Sequence, residues 1–425
     1  MKVLLARALG ACYLVVALLA PPAQAADAAP PLTLGEAVNA ALAGNPNLTA
    51  FAFELRAQDA RTRRAALRPP LQASVEAENI LGTGDNHGLN AAEVTFALSG
   101  VVELGDKRTH RISAALAQFG VAEVENQARQ LDVLAEVTRR FITVAAAQER
   151  QRLAQRGSEL ASQTVAGSQR RVTAAKSPHV ELSRARIAQN RAQLEQRRAV
   201  TELDAARRQL AAMWGESQPV IDGHPFGEVR GDLFVLPPTG EFGELLGRLK
   251  ANPDFLRFAS ETRLRDAELR LAATLRKPDL TLSAGVRRLE QSGDNAFVAS
   301  LSIPLFSGSR ARSFVAEAQA NLERVDAERR AAEVKASATL YELLQQLRQA
   351  VLEARTLKDD MQPRAEEALK ETRYAYERGR YGYLELVDAQ REFLAVKQAL
   401  IAAASDAHIL RAEIERLTNA PLATP

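Results

Sequence analysis

The sequence has 425 residues, 46% hydrophobic and 25% charged, and its 55 Lys and Arg nearly balance its 52 Asp and Glu. The charges alternate in sign along the chain, which is typical of solvated helix faces and does not favour a nucleic-acid partner. The five histidines are scattered without ligand spacing and no nucleophile pairs with a base, so the sequence predicts no metal site, no cofactor and no enzyme activity.

Residues 1–25 have the pattern of a secretory signal peptide. Lys2 and Arg7 precede an apolar run, and Ala23-Gln24-Ala25 is a small-residue cleavage site. The alternative is lipidation at Cys12, but Arg7 would interrupt the short apolar region before it. Cleavage after Ala25 leaves a mature chain without cysteine, which excludes disulfides and thiolate chemistry. No later segment has eighteen consecutive apolar residues, which argues against a membrane-spanning helix, although β-strands can also cross a membrane.

The first half of the mature chain, residues 26–214, contains four predicted elements in a fixed order. An amphipathic helix with Asn45-Pro46 stops at Pro69-Pro70, and strand-like runs flank a Gly-Asp-Asn turn. Two further helices follow, and the first of them is a rod of about 100 Å at 1.5 Å per residue. The predicted bounds are helix 34–67, β-hairpin 71–102, long helix 106–176 and helix 179–214.

The second half, residues 241–420, repeats this order, with Asn252-Pro253 in its first helix and Gly293-Asp294-Asn295 in its hairpin. A Gly- and Pro-rich segment, residues 215–240, links the two repeats. The long helix has a narrow apolar stripe, which is typical of a coiled-coil seam. The predicted bounds are helix 241–276, β-hairpin 279–306, long helix 309–378 and helix 383–419.

The hairpin strands alternate between apolar and polar residues. From Phe297 to Leu305 the odd positions are apolar and the even ones are mostly small or polar, as in a sheet wetted on one face. Four strands cannot close a barrel, and open sheet edges are not tolerated in lipid. Several chains must then share one barrel, and three chains would supply about twelve strands. The predicted fold is mainly α-helical with a membrane β-barrel.

The sequence resembles the TolC-like outer-membrane efflux family over the whole mature chain. The resemblance rests on the duplicated element order and on three motifs: Ser302-Ile303-Pro304-Leu305-Phe306 before Gly308, Tyr376-Glu377-Arg378-Gly379, and Leu384-Glu385-Leu386-Val387-Asp388-Ala389. The phrase Val102-Glu103-Leu104-Gly105-Asp106-Lys107-Arg108 is similar to Glu-Leu-Gly-Gly-Lys-Arg in the branch that serves cobalt, zinc and cadmium efflux pumps. Asp106 replaces the second glycine of that phrase.

The resemblance implies a homotrimer with a shared twelve-stranded barrel in the outer membrane and an α-helical tube in the periplasm. It also implies two protein partners, a periplasmic adaptor and an inner-membrane proton-driven pump, with metal cations as the cargo. Two alternatives stay open at this stage. A drug or protein-export channel would have the same fold, whereas a soluble periplasmic coiled-coil adaptor would need no lipid-facing strands.

Two turns carry the predicted functional residues. The resemblance places both turns towards the inner membrane, where exposed apolar residues grouped at a loop would form an adaptor-docking surface. The alternative is that the glycines only end helices and the apolar residues close the coiled-coil seam. The predicted docking residues are Pro178, Val180, Leu182, Gly379, Tyr381, Gly382, Leu384 and Leu386.

Glu385 and Asp388 lie three residues apart and share a helix face. Both align with positions where the family places acidic groups at the periplasmic pore entrance, and in a trimer such a ring would favour cations. The alternative is an ordinary solvated face on which the carboxylates pair with Arg378 or Arg391.

Overall fold

The structure is a computed structural model that describes residues 31–419. The predicted signal peptide and Cys12 lie outside the described residues. The first half contains helices α1 (Leu34–Gly44) and α2 (Pro46–Ala65), strands β1 (Gln72–Glu78) and β2 (Glu93–Val102), and helices α3 (Lys107–Thr173) and α4 (His179–Ala211). A short ladder of β3 (Val220–Ile221) and β4 (His224–Pro225) follows.

The second half repeats the order. It contains helices α5 (Phe242–Leu249) and α6 (Pro253–Thr274), strands β5 (Leu280–Leu289) and β6 (Asp294–Ser302), helix α7 (Ser307–Thr356), a π-helical turn (Leu357–Met361), and helices α8 (Gln362–Glu377) and α9 (Tyr383–Thr418). The chain is therefore mostly helical and internally duplicated.

The predicted single helices 34–67 and 241–276 are each two helices in the structure. Asn45 and Asn252 have extended backbone, and each caps the helix that starts at the following proline. The Asn45 carboxamide oxygen accepts from Asn47 N at 3.0 Å, and that of Asn252 accepts from Asp254 N at 2.8 Å. A proline at the first helical position has no N–H to satisfy, so Asn-Pro starts a new helix here.

The same two asparagines join stacked helices. The side-chain amide of Asn45 donates to Met213 O, just beyond the end of α4, at 2.8 Å. Asn252 donates to Arg416 O and Leu417 O at 2.7 and 3.0 Å, at the end of α9. In each repeat a short helix from one side of the hairpin thus abuts a short helix from the other side, alongside the long rod.

The predicted long helix 309–378 is interrupted in the structure. It starts at Ser307, and its regular hydrogen-bonding pattern widens into the π turn before Pro363. A π turn accommodates one extra residue within a helix. Lys358 in this turn donates to Phe234 O at 3.0 Å, which ties the interruption to the segment between the repeats.

That segment, residues 215–240, lies against the helices. Gln148 on α3 makes two hydrogen bonds to the Val229 backbone, at 2.8 and 3.3 Å. His408 on α9 lies 3.0 Å from Leu233 O.

Helix α9 is long and apolar enough to cross a membrane by length and composition alone, but it packs against α3, α7 and α8 as a core helix. Its buried core residues include Leu400, Ile401, Ala404 and Ile414.

The two hairpins form one antiparallel sheet in the order β1-β2-β5-β6. Residues that face each other across this sheet share a face, because side chains alternate along a strand. One row joins Phe96, Val286 and Phe297, and the next row on that face joins Leu98, Ala284 and Ala299. The opposite face carries Ser99, Ser283 and Ser300 in one row. Within the described residues, β1 and β6 are the two edge strands of the sheet.

Candidate functional site

The turns between α3 and α4 and between α8 and α9 have the same backbone geometry. Ala175 and Gly379 both adopt left-handed conformation, with φ of 53° and 76°. Lys176 N donates to Arg171 O at 2.8 Å, and Arg380 N donates to Ala375 O at 2.9 Å. These bonds satisfy carbonyls at each helix end in the manner of a Schellman motif. The duplicated fold therefore ends in two equivalent turns.

Arg171 fastens the two turns together. Its guanidinium donates to Tyr376 O at 2.8 Å and to Ser177 Oγ at 3.0 Å, and lies 4.8 Å from the centre of the Tyr376 ring. The Tyr376 hydroxyl lies 3.0 Å from Ser168 Oγ, and both residues are buried. We name this contact the tip clamp (Ser168, Arg171, Ser177 and Tyr376). Sequence reasoning missed it, since Tyr376 lies about two hundred residues from the other three members and only Tyr376 lies in a motif.

The structure divides the predicted docking residues into two groups. Val180, Tyr381 and Leu384 are 53%, 50% and 59% exposed, and Pro178 and Gly379 are also at the surface, with Gly382 half-buried. Leu182 and Leu386 are only 1% and 2% exposed. Their assignment to a docking surface is wrong for this chain, because both side chains point into the packed helices.

Glu385 and Asp388 are both exposed on the first turns of α9. Glu385 accepts from the Gly382 backbone N–H at 3.0 Å and so also caps the helix. Asp388 lies 3.6 Å from Arg391, its neighbour one turn on. Arg378, the other suggested partner, instead stacks on the Tyr374 ring at 4.4 Å. Asp388 therefore has a surface partner within the chain, and Glu385 has a structural role besides its charge.

Tyr383, between the docking residues and the acidic pair, is buried at the start of α9. Burial raises the pKa of its phenol, against the opposing effect of Arg391 and Arg184. The phenol therefore stays neutral across the physiological range. It leaves Glu385 and Asp388 as the acidic groups among residues 383–389.

At the other end of the molecule, the polar face of the sheet carries a charged cluster. Arg287 donates to Thr95 Oγ1 at 2.9 Å and forms ion pairs of 2.7 Å with Glu78 and Glu93. One arginine thus ties together β1, β2 and β5 near the hairpin turns. The opposite face is apolar and exposed, with Phe96, Phe297 and Leu301 each more than half exposed.

A comparison with protein families decides the identity of the fold. The model of the outer membrane efflux protein family matches residues 37–216 and 248–420, one range in each half of the chain. The chain belongs to the outer membrane efflux protein family. It is accordingly an efflux channel protein of the outer membrane, with its helical part in the periplasm.

Individual relatives of this efflux protein agree with the assignment. The chain is 30% identical to the cobalt-zinc-cadmium resistance protein CzcC of Cupriavidus metallidurans, over 86% of this chain and 84% of that protein. It is 27% identical to the nickel-cobalt-cadmium resistance protein NccC of Alcaligenes xylosoxydans xylosoxydans, over 73% and 70% of the two chains. The Neisseria gonorrhoeae MtrE outer membrane channel in its open state matches the fold with a TM-score of 0.70 at 20% identity, over 91% of this chain and 89% of that one.

The efflux protein shows no clustering of metal ligands within residues 31–419. That part of the chain contains no group of three or more His, Cys, Asp or Glu side chains placed to hold a metal ion. His224 bonds to a backbone carbonyl of its own turn, and His408 contacts the segment between the repeats.

Proposed function

We propose that the protein is the outer-membrane channel of a tripartite efflux system and that it exports heavy-metal cations. Metal cargo is supported by the resistance proteins named above, which are related over most of their length. The channel itself needs no catalysis, because the substrate is delivered by an energised pump and passes through an aqueous conduit. We accordingly assign the chain no enzyme activity.

The observation that carries the proposal is the four-stranded sheet, which has one apolar face and two edges that no other strand of residues 31–419 pairs with. In lipid, each unsatisfied backbone group costs several kcal/mol, so such edges must be paired. Pairing β6 of one copy with β1 of the next would close a barrel of about twelve strands from three copies, within the range for outer-membrane barrels. The apolar face would then contact lipid, and the face with Ser300 and Arg287 would line the lumen.

The other end of the chain provides the periplasmic functions. In a trimer, Glu385 and Asp388 would surround the entrance and favour cations. The exposed docking residues, Pro178, Val180, Gly379, Tyr381 and Leu384, would bind the periplasmic adaptor, which in turn contacts the inner-membrane pump. Leu182 and Leu386 support this surface from inside.

Two experiments test the proposal. The detergent-extracted protein should run as a trimer with mostly helical circular dichroism, and a monomer that stays soluble without detergent would contradict it. A strain lacking the gene should lose tolerance to zinc, cobalt or cadmium and regain it on complementation. Loss of tolerance to drugs alone would favour the drug-export alternative, and an unchanged strain with a soluble periplasmic product would favour the adaptor alternative.

A further inference from the structure

The helices near the two turns form a row whose two outer helices differ from each other. Helix α4 packs against α3, α3 packs against α9, and α9 packs against α8. The four helices thus follow the order α4, α3, α9, α8, and α4 and α8 are its outer members. A row with two unlike edges can associate with copies of itself head to tail and close into a ring.

Helix α4 exposes a regular stripe on the side away from α3. Val180, Ile187 and Leu194 follow one another at seven-residue intervals, each more than half exposed. The stripe is about 21 Å long at 1.5 Å per residue. Arg184 and Arg191 each stand four residues after an apolar member, in the pattern of a coiled-coil seam. Arg184, Ile187 and Arg191 also border a groove towards the start of α9, whereas Val180 and Leu194 do not border it.

Helix α8 exposes carboxylates and an aromatic ring, which are complementary to the arginines and apolar side chains on α4. Glu367, Glu371 and Tyr374 follow at intervals of three and four residues and are all exposed, on the side away from the buried Ala365 and Leu369. Within residues 31–419, neither Glu367 nor Glu371 forms an ion pair. The same holds in that part of the chain for Arg184 and Arg191. Cations on one outer helix and carboxylates on the other therefore form no ion pair among the described residues, although Arg184 and Arg191 line the same groove as Asp388 of α9.

The heights of these charges also agree. The tip clamp holds the start of α4 and the end of α8 at one level, because Arg171 bonds both Ser177 and Tyr376. Arg184 and Arg191 lie about 8 and 18 Å above the first residue of α4, and Glu371 and Glu367 lie about 9 and 15 Å above the last residue of α8. The differences are shorter than an arginine side chain.

We infer that the stripe on α4 docks against α8 of a second copy of this chain, with Arg184 opposite Glu371 and Arg191 opposite Glu367. The inference rests on the proposed trimer and assigns the residues that join its copies in the periplasm. The same head-to-tail relation joins β6 to β1 in the proposed barrel, so one rotation would close both parts. Each exposed ion pair is weak alone, but two pairs recur at every interface and flank an apolar seam.

A charge-reversal experiment tests the pairing. Arg184→Glu with Arg191→Glu should lower the temperature at which the detergent-solubilised oligomer dissociates, and adding Glu367→Arg with Glu371→Arg in the same chain should restore most of that loss. The matched control is Arg186→Glu with Arg197→Glu, which makes the same charge change on another flank of α4, where Arg186 bonds Gln169 of α3. Adding Glu367→Arg with Glu371→Arg should not restore the dissociation temperature of this control.

The outcomes separate the inference from the proposed function. The pairing would be overturned if the stripe variant and the control lowered the dissociation temperature equally, or if the substitutions at Glu367 and Glu371 restored nothing, while the unmodified protein still forms its trimer. An unmodified protein that is monomeric in detergent and absent from the outer-membrane fraction would overturn both. Rescue confined to the stripe variant would establish α8 of a second copy as the partner of α4.

Discussion

Asn252 donates from its side-chain amide to the carbonyl oxygen of Arg416 at 2.7 Å, across 164 positions of sequence. Asn45 makes the equivalent bond to Met213 in the first repeat, across 168 positions. Each asparagine also caps the helix that it precedes. One side chain per repeat therefore both starts a helix and fastens it to the end of another, so the repeats share a joint as well as an element order.

The joint predicts a measurable stability loss. Asn252→Ala removes a helix cap worth about 0.5 to 2 kcal/mol and also leaves the carbonyls of Arg416 and Leu417 without this donor. We expect Asn252→Ala and Asn45→Ala each to lower the thermal unfolding midpoint. Asn47→Ala is the control, since Asn47 is exposed and only its backbone bonds to Asn45. A control that loses as much stability as the joint variants would contradict this role.

The tip clamp predicts a local change in dynamics. Arg171→Ala removes two hydrogen bonds and a cation–π contact between the turns, so the α8–α9 turn should open more often. Amide hydrogen exchange over residues 374–382 should become faster, with little change in the middle of α3. Arg170→Ala serves as the matched variant, because Arg170 is exposed beside the clamp. Equal exchange in both variants would mean that the clamp does not hold the turns.

The acidic pair predicts cation selectivity at the channel entrance. Glu385→Gln with Asp388→Asn removes both charges, while glutamine can keep the capping bond to Gly382. In a trimer this takes six like charges from one constriction, so recordings from single channels should show weaker cation preference and weaker block by divalent cations from the periplasmic side. Changing Glu333 and Lys335 on the rod provides the control. Unchanged selectivity with an intact trimer would make the two carboxylates ordinary surface charges.

The two faces of the sheet predict opposite responses to the same substitution. Leu301→Arg places a charge on the apolar face, at a cost of about 2 to 4 kcal/mol per chain near the bilayer midplane, and should block insertion into the outer membrane. Ser300→Arg places the same side chain on the polar face beside Ser283, 2.9 Å away, and should be tolerated. Membrane fractionation of both variants measures the difference. If the two behave alike, the assignment of the faces is wrong.

His408 predicts a pH dependence of stability. A carbonyl oxygen only accepts hydrogen bonds, so the ring donates Nε2–H to Leu233 O. Burial lowers the pKa of His408, against the raising effects of that bond and Asp232, while Arg411 lowers it further. The unfolded chain therefore binds the proton more readily, and stability should fall as pH drops below the ordinary value of about 6.5 and through the folded pKa.

The matching variant is His408→Gln, which keeps a donor for Leu233 but cannot take up a proton. Its unfolding midpoint should change less between pH 7.5 and 5 than that of the unmodified protein. If the unfolding midpoints of the two proteins fall equally between pH 7.5 and 5, groups other than His408 cause the acid sensitivity.

The mainly helical, duplicated fold could be predicted because its signals are local. Asn-Pro, the terminating prolines and the Gly-Asp-Asn turns recur in one order, and each has a short-range physical cause. The breaks at Asn45 and Asn252 were signalled as well, by an N-cap residue before proline. The longer amphipathic pattern around them outweighed that signal in the prediction.

The candidate site was less predictable because it depends on helix rotation. Leu182 and Leu386 stand beside the turns like Val180 and Leu384, and only the packing against other helices shows which pair is buried. The tip clamp needs two segments that meet only in the folded chain. Sequence near a turn can therefore indicate where a surface lies, but not which of its side chains face outward.

The π turn between α7 and α8 also fixes the orientation of α8. One extra residue corresponds to about 100° of rotation, so everything from Gln362 to the tip is turned by that angle relative to an unbroken continuation of α7. Deleting Asp359 or Asp360 would yield a regular helix that is locally more ideal. It would also rotate Glu367 and Glu371 to a different side of α8, away from the face that the inferred interface requires. The number of residues in this turn therefore sets which face α8 presents to a second copy of the chain.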